Sequence, residues 1–147
     1  MKSNYDIVIV GGGMVGAALA CALGNSALKV ALLDRAPAVH PPEKGYDQRV
    51  SALTLASRAL FENLGAWDGM ARRRVSPVRE MRVSSGAGNG AIHFNAAEIG
   101  EPALTYIVEN SVIQTALIER LHQFTNIHHL CPVEIVDITL ADNAAVV

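Results

Sequence analysis

The sequence predicts an α/β chain: a parallel sheet built on a βαβ unit, followed by the beginning of a separate antiparallel sheet. Two observations carry this. An apolar strand-like run, a glycine-rich turn, a helix of small residues and a second apolar run follow one another between Tyr5 and Arg35. Further on, alternating apolar and polar residues flank a Gly/Asn-rich turn between Arg79 and Asn95, the pattern of a hairpin.

Tyr5–Val10 is rich in Val and Ile and reads as a buried parallel strand. It enters Gly11-Gly12-Gly13-Met14-Val15-Gly16 directly. From Met14 to Leu23 the residues are small or apolar, so a buried helix is expected, stopped at Gly24-Asn25. Lys29–Leu33 is the second strand and ends on Asp34, twenty-three residues after Gly11. This is the dinucleotide-binding, Rossmann-like arrangement. Gly11 allows a sharp turn out of the strand. Gly13 lets a pyrophosphate approach the backbone and the helix N–H groups. Gly16 lets the helix lie close to the sheet. A carboxylate at Asp34 can accept hydrogen bonds from both hydroxyls of an adenosine ribose and would repel a 2′-phosphate.

The chain has 147 residues, enough for one domain with a core. Hydrophobic residues make up 50% and charged residues 18%, which argues against disorder. The net charge of -2 offers no electrostatic case for nucleic acid. Cys21 and Cys131 are the two cysteines, and Cys21 reads as a small buried hydrophobe. No disulfide framework is implied, and a reducing compartment is expected. The uncharged stretch from Ile7 to Leu28 is neither signal peptide nor membrane span, because three glycines interrupt it and Asp6 precedes it. The chain therefore reads as cytoplasmic.

Residues 36–48 hold three prolines and a glycine and form a loop. A helix is expected from Ser51 to Leu64, with Leu53, Ala56, Leu60, Phe61 and Leu64 on one face and Gly65 as its stop. Arg72-Arg73-Arg74 reads as a solvated turn or helix end, with contact to anionic lipid as the lesser alternative. Met81 and Val83 share one face of the hairpin's first strand, and Ile92 and Phe94 return on its second. Thr105–Val108 is a further strand. Ser111 and Gln114 have the spacing of a capping box, and Ile113, Leu117, Leu121 and Phe124 form the apolar stripe of the helix behind them. Ile127–Leu130 is the third parallel strand. Val133–Leu140 is expected as a longer strand with Ile138 and Leu140 inward, turning at Asp142-Asn143 into Ala144–Val147. An end inside a hairpin suggests a truncated chain. His128 and His129 are adjacent on a strand and point to opposite faces, so with His122 and Cys131 they are not expected to hold a metal.

The glycine turn, its helix (Ala20 and Leu23 included) and the strand into Asp34 resemble the start of FAD-dependent aromatic monooxygenases of the para-hydroxybenzoate hydroxylase type. That family usually has Glu at the position of Asp34. Tyr46-Asp47-Gln48-Arg49-Val50-Ser51-Ala52-Leu53, Phe94-Asn95-Ala96-Ala97-Glu98 and Tyr106-Ile107-Val108-Glu109-Asn110 are similar to segments of its ubiquinone-biosynthesis hydroxylase subgroup. The resemblance implies noncovalent FAD, reduced by NAD(P)H or a redox partner, and hydroxylation by O2 of a polyprenylated phenol. It implies cofactor binding at Gly11, Gly13, Met14, Val15, Gly16, Asp34, Arg35, Arg49, Asn110 and Val133, with Arg49 along the FAD and Asn110 near its phosphates. It names no catalytic residue. It divides the chain into an FAD-binding portion (1–78), an antiparallel substrate-domain insertion (79–108) and a return to the FAD-binding domain (109–147). It leaves room for ubiquinone-biosynthesis protein partners and for peripheral contact with the inner membrane. Family members are well over twice as long and carry a late Gly-Asp flavin motif that this chain lacks, so an N-terminal fragment, inactive alone, is expected. A non-catalytic nucleotide-binding module is the alternative, and an NAD-dependent dehydrogenase the third reading.

Overall fold

A computed structural model describes residues 4–37, 40–86, 90–141 and 144–147. The chain divides into two compact units, residues 1–39 with 117–147 and residues 40–116.

The first unit is built on β1 (Ile7–Val10), α1 (Met14–Ala22) and β2 (Val30–Leu33). β1 and β2 are parallel, Ile7 opposite Val30 and Val10 opposite Leu33. β2 also pairs in parallel with the later strand formed by Ile127–Leu130. β2 is thus central, and Val30, Ala31 and Leu32 are all buried, as a strand covered on both faces requires. β1 lies at an edge, and Val8 and Val10 are exposed, so the expectation of a fully buried first strand is corrected. α1 buries only its small side, Ala17, Ala20 and Cys21, while Val15 and Leu19 stay exposed. Burial raises the Cys21 thiol to about 11, against a small opposing effect of Arg120, so it remains a protonated hydrophobe.

The second unit opens on β3 (Val50–Leu53), then α2 (Leu55–Asn63), α3 (Trp67–Ala71) and β4 (Ser76–Val78). A hairpin of β5 (Glu80–Ser84) and β6 (Ala91–Asn95), a 3-10 turn over Ala96–Ile99 and β7 (Thr105–Glu109) follow. β7 is central to a second sheet, antiparallel to β3 and to β4. The expected helix from Ser51 is therefore wrong in its first turn. Ser51–Leu53 pair with Tyr106–Val108, and sheet pairing overrides the helical spacing. The true start is Thr54, whose side chain accepts from the Ser57 N–H at 3.1 Å. Leu53, Phe61 and Leu64 are buried as expected, but Ala56 and Leu60 are exposed. Gly65, at φ +72°, closes α2: its N–H donates to Glu62 and the next N–H to Phe61, the two bonds of a Schellman end. Pro77 sits in β4, an edge strand, where proline is tolerated. β5 and β6 pair antiparallel as expected, Met81 opposite Phe94 and Val83 opposite Ile92. The tip of their turn lies outside the described residues.

α4 (Asn110–Leu121) carries the division between the units, and the strand after it, β8 (Ile127–Leu130), is the third strand of the parallel sheet. Ile113, Leu117, Leu121 and Phe124 are all buried, as their spacing predicts. The helix begins at Asn110, two residues earlier than a cap at Ser111 allows, so Ser111 lies buried inside the first turn. The long strand expected over Val133–Leu140 is not formed. Only β9 (Thr139–Ala141) is regular, paired antiparallel with β10 (Ala144–Val146), and Ile138 and Leu140 are exposed rather than inward. Alternation alone does not make a strand without a neighbour to complete its hydrogen bonds. The turn at Asp142-Asn143 lies outside the described residues. Among the described residues no helix is long and apolar enough to cross a membrane.

Candidate functional site

The site in the first unit is made by the ends of β1 and β2 and the start of α1. Gly11 leaves β1 at φ +103°, a conformation side-chain-bearing residues rarely adopt, and its N–H donates to the Leu33 carbonyl at 2.8 Å. Gly13 is the N-cap of α1 and no side chain caps the helix. Helix geometry leaves the N–H groups of the first turn, at Met14, Val15 and Gly16, without intrahelical acceptors. No acidic residue occupies that turn, and a Cβ built on Gly13 would meet nothing within 4 Å. The space in front of the helix is open and its donors suit an anion. Gly16 does what close packing asks: a Cβ there would collide with the Gly11 carbonyl and come within 3.3 Å of Ile9 Cγ2.

Asp34 closes the turn from the other strand. Its Oδ2 accepts from the Gly12 N–H at 3.0 Å and its Oδ1 from the Ala36 N–H at 3.4 Å. The Asp34 N–H donates to Leu130, and its carbonyl accepts from the Val133 N–H at 2.8 Å. Gly11, Asp34, Arg35 and Val133 line one cleft of about 270 Å³, together with Val10, Leu33, Glu134 and Ile135. Four of the ten expected residues thus converge on one concave surface, and Gly13 to Gly16 continue from Gly11 along α1. Sequence reasoning missed Gly12, which the GxGxxG pattern leaves as a free position, and Glu134 and Ile135, whose segment reads as strand. The Val133 N–H is taken by Asp34, so its backbone donor does not face a ligand.

Arg49 and Asn110 belong to the second unit and are neighbours there. The Asn110 N–H donates to the Arg49 carbonyl at 2.9 Å, and Asn110 Oδ1 accepts from Ser51 Oγ at 2.7 Å. The Arg49 N–H donates to Asp47 Oδ1 at 3.0 Å, which, with Ser111, holds the Asp47 carboxyl below its ordinary value. The Arg49 side chain is exposed. The basic run is not simply solvated. Arg74 Nε lies 2.8 Å from Oε1 of the buried Glu109, and Arg74 Nη2 donates to Oε2 at 3.2 Å. The same guanidinium donates to the Gly45 carbonyl and stands over the Tyr46 ring at 4.9 Å. This pair was not legible, because it joins residues thirty-five apart in sequence.

His128 and His129 do face opposite sides of β8. His128 Nδ1 bonds the Tyr5 hydroxyl at 3.0 Å, whereas the His129 ring lies 6.0 Å from that of His122. Among the described residues no group of three or more His, Cys, Asp or Glu side chains is placed to hold a metal ion.

The chain that carries this glycine turn, strand-end acid and cleft is similar in sequence to known proteins over most of its length. It is 34% identical over 149 aligned residues to the ubiquinone hydroxylase UbiM of Neisseria meningitidis, covering 99% of this chain and 32% of that protein. It is 40% identical to the mitochondrial ubiquinone biosynthesis monooxygenase COQ6 of Xenopus tropicalis, over 80% of this chain and 26% of that one. To the 3-demethoxyubiquinol 3-hydroxylase of Escherichia coli it is 39% identical, over 79% and 30%. This chain corresponds in sequence to the N-terminal part of the ubiquinone hydroxylase group of FAD-dependent monooxygenases. It spans about a third or less of the length of these curated relatives. No family model matches. The fold is shared with p-nitrophenol 4-monooxygenase PnpA of Pseudomonas putida, at TM-score 0.76 and 20% identity, over 99% of this chain and 36% of that one. It is shared also with PqsL of Pseudomonas aeruginosa, a probable FAD-dependent monooxygenase, at TM-score 0.74 and 20% identity, over 95% and 36%.

Proposed function

We propose that the protein carrying this sequence is an FAD-dependent hydroxylase of a polyprenylated aromatic ring in ubiquinone biosynthesis, and that these residues hold the adenosine diphosphate end of its FAD. The observation that carries the reading is the convergence of Gly11, Asp34, Arg35 and Val133 on one cleft beside the uncapped start of α1. The names of its relatives, three of them ubiquinone-pathway hydroxylases or monooxygenases, support the substrate class.

In this reading the N–H groups of Met14, Val15 and Gly16 receive the pyrophosphate, and Gly13 leaves room for it. Asp34 accepts the ribose hydroxyls through the lone pairs that the Gly12 and Ala36 N–H groups leave open. Arg35 and Val133 flank the adenosine. Arg49 presents a planar fork of donors to the phosphate or ribityl part, and Asn110, at the start of α4, supports it. Bound FAD, reduced by NAD(P)H or a redox partner, supplies the oxygen activation; the polypeptide orients it and keeps water away. The division at residues 78 and 108, a cytoplasmic location, contact with other ubiquinone-biosynthesis proteins and peripheral contact with the inner membrane belong to the same proposal.

Flavin content of the purified natural protein tests it. Wild type is expected to purify yellow with one FAD per chain, and Gly13→Val to purify colourless and folded. A wild-type protein that takes up no flavin would leave only a nucleotide-binding module.

A further inference from the structure

We propose that Asp34 is a positioning residue for the glycine turn in addition to a ribose acceptor, and that Gly12 is glycine because the Asp34 carboxylate occupies the space of its side chain. The second half of Asp34's role, toward the ribose, rests on the function proposed above; the first half does not.

The three consecutive glycines are not equivalent. Gly11 and Gly13 are exposed, and a Cβ on either would meet nothing within 4 Å. Gly12 is buried, and a Cβ there would lie 2.5 Å from Asp34 Oδ2, 3.1 Å from Asp34 Cβ and 3.2 Å from Asp34 Cγ. Asp34 Cβ and Cγ stand close as well as Oδ2, so a side chain at Gly12 would displace the carboxylate. The contact is a bond as well as a close approach, because the Gly12 N–H donates to Oδ2 at 3.0 Å.

Asp34 is a rigid anchor. Its N–H is held by the Leu130 carbonyl at 3.1 Å and its carbonyl by the Val133 N–H at 2.8 Å, so its backbone continues the β2–β8 ladder beyond the end of both strands. The adjoining Gly11 N–H is fixed on Leu33 at 2.8 Å. Two successive amides of the turn are therefore pinned to two successive residues of the β2 end. The turn leads directly into the first-turn donors of α1, so pinning it fixes where those donors aim before any anion arrives. A cradle ordered in advance binds more tightly than one that must be ordered on binding. One carboxylate would thus orient the phosphate donors with one oxygen and keep lone pairs for the sugar.

Amide hydrogen exchange on the natural protein stripped of flavin tests the clamp, with Asp34→Ala, Asp34→Asn and Gly12→Ala compared with wild type. In Asp34→Ala the Gly12 amide is expected to exchange about tenfold faster or more, the scale of losing a hydrogen bond to a charged group. Asp34→Asn retains an oxygen acceptor and is expected to restore the protection. Amides of Val30, Ala31 and Leu32 should stay protected in both. Unchanged Gly12 exchange in Asp34→Ala, or loss spread equally over β2, would overturn the clamp. In the natural protein, Gly12→Ala keeps the carboxylate yet is expected to weaken FAD binding about tenfold; unaltered affinity would overturn the proposal. If wild type binds no FAD, the proposed function fails while the exchange result still decides the clamp.

Discussion

A methyl group has opposite consequences at two glycines three residues apart. At Gly13 it points into open space, and the φ of -65° suits any residue. At Gly16 it strikes the Gly11 backbone. Gly16→Ala should therefore destabilise the fold itself, by at least about 1–3 kcal/mol, read as a lower urea midpoint without ligand. Gly13→Val should leave that midpoint nearly unchanged and remove flavin binding. Equal midpoints for the two variants would contradict this division of labour. Asp34→Ala should weaken FAD affinity by about 1.5–3 kcal/mol, measured by titration calorimetry on the apoprotein. His129 gives a pH handle. Burial, with the charge of His122 adding and that of Asp34 opposing, lowers it from its ordinary 6.5. A depressed imidazole means the unfolded chain binds the proton first, so this contribution is complete above 6.5 and is lost as pH falls from 6.5 through the lower folded value. His129→Asn should flatten the drop in urea midpoint between about pH 7 and pH 5; an identical drop would remove His129 as its source. The turn made by Gly11, Gly13 and Gly16 and its junction with Asp34 were legible because a glycine pattern and a following acid recur at fixed spacing in βαβ units. Gly12 was not, since its constraint comes from a side chain twenty-two residues away.

Elements defined by local signals were readable, and two segments whose state is decided by a partner strand were misread. The β1–α1–β2 unit, the α4 stripe and the β5–β6 hairpin each follow from their own periodicity and breakers. β3 looked helical because Leu53 and Phe61 fit a helical face, yet β7 claims its backbone. Residues 133–138 looked like strand and have no ladder. The link from Arg74 to Glu109 belongs to this scale, since it ties the segment after α3 to the end of β7. The Glu109 side chain is only 5% exposed, so a missing partner leaves a buried carboxylate. Arg74 itself is 35% exposed, which lowers the cost relative to a wholly buried pair. Arg74→Ala should lower stability by about 2–3 kcal/mol, and Arg74→Lys should recover part of it. A loss below about 0.5 kcal/mol in chemical denaturation would show the pair behaving as a surface contact.

At the scale of the molecule, apolar surface is left uncovered in both units. Met81, Val83, Ile92 and Phe94 present one exposed face of the hairpin, and Val8, Val10, Val15 and Leu19 are exposed around β1 and α1. A 147-residue chain expressed alone should therefore self-associate, and Val83→Thr with Ile92→Thr should reduce the light scattering without changing the hairpin register. The most direct measurement follows the backbone amide resonances of Gly11 to Gly16 and Asp34 while FAD is added to the flavin-free natural protein. Saturable shifts at Gly13, Met14, Val15 and Gly16, absent in a folded Gly13→Val variant, are expected. Shifts confined to other residues, or equal shifts in the variant, would contradict the placement of the pyrophosphate at this turn.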